Sequence, residues 1–288
     1  MATVRATSPL HAHREEVRVI TSDILLRYRV PKRSRAAARR NAPKPPNAPG
    51  LLYLSGLNKL RMEWHAFIME ELRPALYEVA GQRQDAPLYA PTLLRKIAGL
   101  RVRGLALFTH ERLAPLLANV AGRTVEHARR EVSRVIGIPL KSVVPEHVVE
   151  TFQRENVQLI QSLAGTDLDR ASEMLAKAQT TGLRVEELAK NLQSKLDLSD
   201  SRAALIARDQ TLKLNSEVAA DRMQAVGVTE YVWVTSKDER VRDEHKALDG
   251  KTFSFNDPPV VSKNGDRAAP GIYFQCRCSA SPVIDNLF

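Results

Sequence analysis

A chain of 288 residues with 43 Lys/Arg against 33 Asp/Glu carries a formal charge of +10; 43% of it is hydrophobic and only 5% aromatic. That length buries a sizeable core in one to two domains, and the scarcity of aromatic residues favours helices over a β-sandwich. Two cysteines make no secreted disulfide framework, no apolar run reaches the roughly 18 residues of a membrane helix, and the start lacks a signal-peptide core, so a soluble chain of a reducing cytoplasm with no membrane partner is expected.

The charge is unevenly placed. Residues 1–50 hold eleven Lys/Arg and three Asp/Glu, an excess of +8, which leaves +2 for the rest. Pro31 to Gly50 reads P-K-R-S-R-A-A-A-R-R-N-A-P-K-P-P-N-A-P-G, where prolines and like charges oppose a packed core. An extended basic arm is expected over 1–50, with a short helix around Glu15 to Tyr28. Lys32, Arg33, Arg35, Arg39, Arg40 and Lys44 are its candidate contacts to double-stranded DNA, through phosphates and without sequence preference, or to an acidic protein surface.

From Leu51 the pattern becomes helical. Leu57, Leu60, Trp64, Phe67, Ile68 and Leu72 follow steps of three and four, with Pro74 near the end, and Trp64 and Phe67 read as core. Pro91 to Ala118 is helical with interruptions at Gly99, Gly104 and Pro115, and Thr124 to Ile136 is a further helix stopped by Gly137 and Pro139. Pro145 opens a helix to Leu163, Asp167 and Asp169 open another to about Gly182, and Arg184 to Leu196 follows. A last long helix runs over 199–226, with Leu205, Leu212, Ala219, Met223 and Val226 on one stripe and Arg208 and Asn215 on another face. The chain thus divides into the arm, a helical body over 51–165 and a C-terminal module over 166–288.

The end of the chain changes character. Tyr231 to Thr235 is aromatic and β-branched, a half-buried strand. Asp238 to Leu248 is charged and free of Gly and Pro, hence a short helix, and Asp249-Gly250 is a turn. Ile272 to Val283 is expected as a strand carrying Cys276 and Cys278 on one face and Arg277 on the other. The fold class is α+β, mainly α: a helical body, then a small β-containing module with its strands and short helix at 230–285, preceded by the arm.

Trp233, then D-x-R-x-R-x-x-H at Asp238, Arg240, Arg242 and His245, then Leu248-Asp249-Gly250, Pro270-Gly271 and Cys276-Arg277-Cys278 together resemble the Mu-F-like phage head morphogenesis family. The resemblance spans roughly residues 170 to 285; Gln275 departs from it, standing where Asn or His is commoner. It implies a minor head protein with no catalytic residue and no cofactor. The implied partners are the phage portal protein during procapsid assembly, the major capsid or scaffold protein, and packaged DNA. The implied place is inside the head near the portal, after assembly in the host cytoplasm.

Asp238, His245, Cys276 and Cys278 are the set with metal-ligand character. C-x-C is a poorer zinc chelate than C-x-x-C. The expectation is therefore metal-free: small buried thiols beneath a hydrogen-bonded cluster of Asp238, Arg240, Arg242 and His245, which spacings of three and seven would place on one helix face. The alternative is a metal-dependent nuclease-like or DNA-modifying phage enzyme, but residues 148–288 contain His245 alone and no phosphate-cradling loop. A free DNA-binding regulator would need a helix-turn-helix signature, and none stands out.

Overall fold

The computed structural model describes residues 42–81, 89–141, 143–181, 187–188, 190–192 and 199–284. The expected helix at Glu15 to Tyr28 and five of the six arm candidates, Lys32 to Arg40, lie outside the described residues. Five long helices come first: α1 Asn47–Gly81, α2 Tyr89–Leu107, α3 His110–Ile136, α4 Glu146–Thr181 and α5 Ser199–Ala225. Strand β1 Glu230–Val234, the single turn α6 Asp243–Lys246, β2 Thr252–Ser254 and β3 Ser279–Pro282 follow. The architecture is mainly helical with one small sheet, as expected.

Two compact units divide the described chain: 121–149 with 211–284 and the residues up to Asn47, and 48–120 with 150–210. The second is an apolar helical core. On α1, Tyr53, Leu57, Trp64, Ile68 and Leu72 are buried at steps of three and four residues or their sums. Trp64 stacks on Phe67 and meets Phe108 edge-on, and Gly104 admits its ring, since a Cβ there would collide with it. Tyr53 donates to Asn156 Oδ1 at 2.6 Å, and Asn156 donates to Phe152 O and Gln210 Oε1, so one polar group of this core is well paired.

Several expected helix boundaries move. α1 begins at Asn47 and continues through Pro74. The break between α2 and α3 falls at Phe108 and Thr109, not at Gly99, Gly104 or Pro115, because the Thr109 hydroxyl accepts from Arg112 N and caps α3. Thr124 to Ile136 is therefore the second half of α3. No break separates Leu163 from Asp167: Ser162 and Thr166 return their hydroxyls to carbonyls within α4, and Arg202 donates to both side chains.

In the other unit, Ala219 and Met223 of α5, with Val226 just past its end, pack with Val132, Val135 and Ile136 of α3 and with Ile138, Val228 and Ile284. The buried face of α5 differs from the expected stripe, for Leu205 and Leu212 are only half-buried while Ala203, Ala207, Leu214 and Val218 are inside. Asn215, expected on a face with Arg208, is buried, and Arg208 is exposed.

The sheet is three-stranded and antiparallel, in the order β2-β1-β3. β1 sits centrally, pairing Tyr231 with Phe253 on one side and Trp233 with Ala280 on the other. Two expected elements are shorter than read. Asp238 to Leu248 is not one helix: Lys237 has φ +56 and Arg242 is extended, so turns lead into the four-residue α6. Ile272 to Val283 becomes strand only at Ser279–Pro282, because Gly271 (φ +81) and Gln275 (φ +53) turn the chain just before it. An Asn at 275, which the family resemblance suggests, would suit that left-handed conformation.

Candidate functional site

The site is built on β1. The backbone of Trp233, whose side chain is fully buried, gives its N–H to Lys251 O and accepts from Gly250 N at 2.8 Å, which folds the chain after α6 back onto the strand. The Asp249-Gly250 turn is as expected: Gly250 has φ +75, and Asp249 Oδ1 accepts from both Thr235 N and Thr235 Oγ1 at 2.8 and 2.9 Å. That pair closes the turn and orients α6, so that His245 enters the core.

His245 is only 2% exposed. Its ring lies edge-on to Trp233, with centroids 5.4 Å apart, and edge-on to Tyr273 at 6.4 Å. Its Nε2 lies 3.2 Å from Val261 O. A carbonyl only accepts, so Nε2 carries the proton and Nδ1 keeps a free lone pair. Nδ1 faces two sulfurs, Cys276 Sγ at 3.5 Å and Cys278 Sγ at 3.6 Å. All three ligand atoms lie within 4.8 Å of one another, and both cysteines are free thiols.

Val261 is held by a hairpin in which Val260 bridges Arg267, Val261 N bonds Asp266 O, and Ser262 Oγ donates to Asp266. Gly271 serves the sulfur side, donating its N–H to Cys276 Sγ at 3.4 Å. A Cβ at 271 would collide with Ser216 of α5, so the Pro-Gly dipeptide answers to both backbone angle and space. Acting as acceptor from Cys278 pushes Cys276 down, with help from the Cys278 and Gly271 N–H groups against the cost of burial. The same bond, with burial, pushes Cys278 up.

Arg277 points away from the thiols, as its neighbours' alternation requires, and donates to Asp238 Oδ1 at 2.7 Å. Asp238 also accepts from Arg240 N at 3.0 Å. Burial opposes ionisation of Asp238, but these donors outweigh it and hold its carboxyl below the usual range. Arg242 donates to Phe274 O and lies over the Tyr273 ring, 5.5 Å from its centroid. The expected single cluster of Asp238, Arg240, Arg242 and His245 is therefore split. Asp238 and Arg277 form a half-exposed outer pair, Arg242 clamps the 273–274 loop, and His245 joins the cysteines instead. The helix that would have aligned them is not formed.

Sequence reasoning missed Val261, Gly271, Ser216 and Thr235 as parts of the site. Val261, through its carbonyl, and Gly271, through its N–H, act with backbone groups, which no side-chain pattern announces; only the Pro270-Gly271 dipeptide was a signal. Of the arm candidates, Lys44 is described. Its side chain is exposed, while its N–H and C=O meet Glu131 Oε2 and His127 Nε2 of α3 at 3.0 Å each. The last arm residues are thus tied down by backbone bonds that leave the Lys44 charge to solvent.

The family model for Phage Mu protein F like proteins matches residues 169–281, the stretch that contains α5, the sheet and the whole His-Cys cluster. An uncharacterized protein of Haemophilus influenzae is 37% identical over 138 residues, covering 48% of this chain and 30% of that protein. An uncharacterized protein of Methanocaldococcus jannaschii is 32% identical over 114 residues, covering 39% of this chain and 17% of that one. The chain therefore spans less than a third of the curated relatives it matches. No solved structure matches it. Among the described residues no helix is long and apolar enough to cross a membrane. Residues 169–281, which carry α5, the sheet and the His-Cys cluster, are thus similar to Phage Mu protein F like proteins, a family of phage head morphogenesis.

Proposed function

We propose that this protein is a minor head protein that binds the portal during procapsid assembly and touches packaged DNA from inside the head. The observation that carries the reading is the Phage Mu protein F like match over 169–281, which takes in every residue of the Trp233 to Cys278 motif. The role is one of assembly, not catalysis. His245, the sole histidine of the module, is 2% exposed and faces thiols, beyond the reach of a phosphodiester.

DNA contact rests on the arm. Its +8 over residues 1–50 suits phosphate neutralisation by Lys32, Arg33, Arg35, Arg39, Arg40 and Lys44. Portal contact falls to the helical body, where Leu51 and Met62 of α1 are 68% and 66% exposed and offer apolar surface. Co-expression with a cognate portal protein tests the reading: the two should co-purify, and Leu51→Glu with Met62→Glu should weaken the complex while the chain stays folded. Failure of the wild-type chain to bind the portal would overturn it. For DNA, removal of residues 1–41 should weaken binding and flatten its salt dependence, as fewer counterions are released. An unchanged salt slope would remove the arm from the interface.

A further inference from the structure

We propose that His245 Nδ1, Cys276 Sγ and Cys278 Sγ bind a zinc ion, which ties α6 to the loop leading into β3. This reverses the metal-free expectation drawn from C-x-C spacing. That expectation placed His245 in a cluster with Asp238, Arg240 and Arg242, whereas the fold turns its Nδ1 onto both thiols, 31 and 33 residues further along the chain.

The geometry fits the ion. Zinc–sulfur bonds of about 2.3 Å and a zinc–nitrogen bond of about 2.0 Å at the tetrahedral angle place nitrogen and sulfur about 3.5 Å apart. The two distances from Nδ1 are 3.5 and 3.6 Å. A metal-free hydrogen bond would explain one of them. Nδ1 has a single lone pair and accepts one S–H well, yet both sulfurs stand at nearly the same distance from it. A cation bound by all three satisfies them together.

The surroundings are those of a metal ligand set. Val261 O holds Nε2–H and so presents Nδ1 in its unprotonated form, as the outer partner of a ligating histidine does. Gly271 N–H points at Cys276 Sγ, and a thiolate bound to a metal accepts such a bond better than a thiol. Two thiolates and one imidazole select a thiophilic ion over magnesium or calcium. The described residues supply three ligands, and water takes the fourth position. On binding, each thiol gives its proton to solvent and the sulfur lone pair goes to the metal; nothing is oxidised or reduced.

The test is elemental analysis of the full chain, made in zinc-supplemented medium and purified without a chelator or a metal-affinity column. One zinc per chain is expected, and none in the Cys276→Ser, Cys278→Ser double variant. Cobalt put in place of zinc should give a thiolate-to-cobalt charge-transfer band and the intense visible bands of a tetrahedral site. If the double variant fails to fold, a mercurial added to the wild-type chain decides the matter: zinc should leave in step with titration of the two thiols. A wild-type chain without stoichiometric zinc, zinc that remains after both thiols are blocked, or an octahedral cobalt spectrum would each overturn the proposal.

Discussion

The helical unit of residues 48–120 and 150–210 and the sheet module of residues 229–284 are held by different physics. In the first, long helices bury Tyr53, Leu57, Ile68, Leu72, Leu113 and Leu117, and the polar Tyr53–Asn156–Gln210 chain is an exception inside an apolar stack. In the second, strands of three to five residues enclose two buried aromatic side chains, Tyr231 and Trp233, and named polar contacts and positive φ angles fix the loops around them. Helical periodicity spreads stability over many equivalent side chains. A small sheet concentrates it in few, and those few also build the site.

That contrast orders the expected effects of substitution. The largest belongs to Trp233→Ala, which removes the central side chain of the small core and should cost roughly 3–5 kcal/mol in denaturant unfolding. A near-wild-type midpoint would mean the module is not organised around Trp233. Tyr53→Phe is the corresponding probe of the helical unit. It strips Asn156 Oδ1 of its donor in a buried setting and should cost about 1–3 kcal/mol. Equal losses from the two variants would erase the distinction between concentrated and distributed stability.

Backbone conformation supplies the next two. Gly250 has φ +75 and nothing within 4 Å of the place a Cβ would take, so Gly250→Ala probes the backbone angle alone and should cost about 1–2 kcal/mol. No loss would show that the turn relaxes freely. Gln275 has φ +53, and Gln275→Gly should raise stability by under about 1 kcal/mol unless its side-chain contacts outweigh the relief. A clear loss would point to those contacts.

The smallest effect is that of Asp238→Asn at the outer pair with Arg277, whose side chains are 39% and 31% exposed. The folded Asp238 carboxyl is held below its ordinary value, so its contribution is present above the unfolded pKa of about 3.9 and is lost as pH falls through the lower folded one. Thermal unfolding of the variant should therefore differ slightly from wild type at pH 7 and converge with it in acid. A gap that widens in acid would reverse the sign of that coupling.

The helices were legible because burial follows steps of three and four, and the span 199–226 lies within one residue of the observed α5. Their joints were less legible. Gly99, Gly104 and Pro115 read as breakers, yet tertiary packing carries the helices through them, and the true break is a Thr109 cap with little sequence contrast. In the module, β1 and the Asp249-Gly250 turn were readable from residue type. β2 was not, since three residues, Thr252–Ser254, carry no periodic signal. The alternation that placed Cys276 and Cys278 together and Arg277 apart gave the right side-chain grouping although that stretch is not strand. His245 was assigned to the wrong neighbours because a helix over Asp238 to Leu248 was assumed, and only the fold shows that Arg242 is extended. Convergence of a histidine with two distant thiols is a tertiary fact.

The central claim, that this is a head protein acting through the portal, is tested most directly by mass spectrometry of purified procapsids. Particles are assembled from cognate portal, scaffold and capsid proteins together with this chain, and again without the portal. The account predicts that the chain is found in the complete particles and is lost when the portal is left out. Particles that never contain it, or that retain it equally without the portal, would contradict the account.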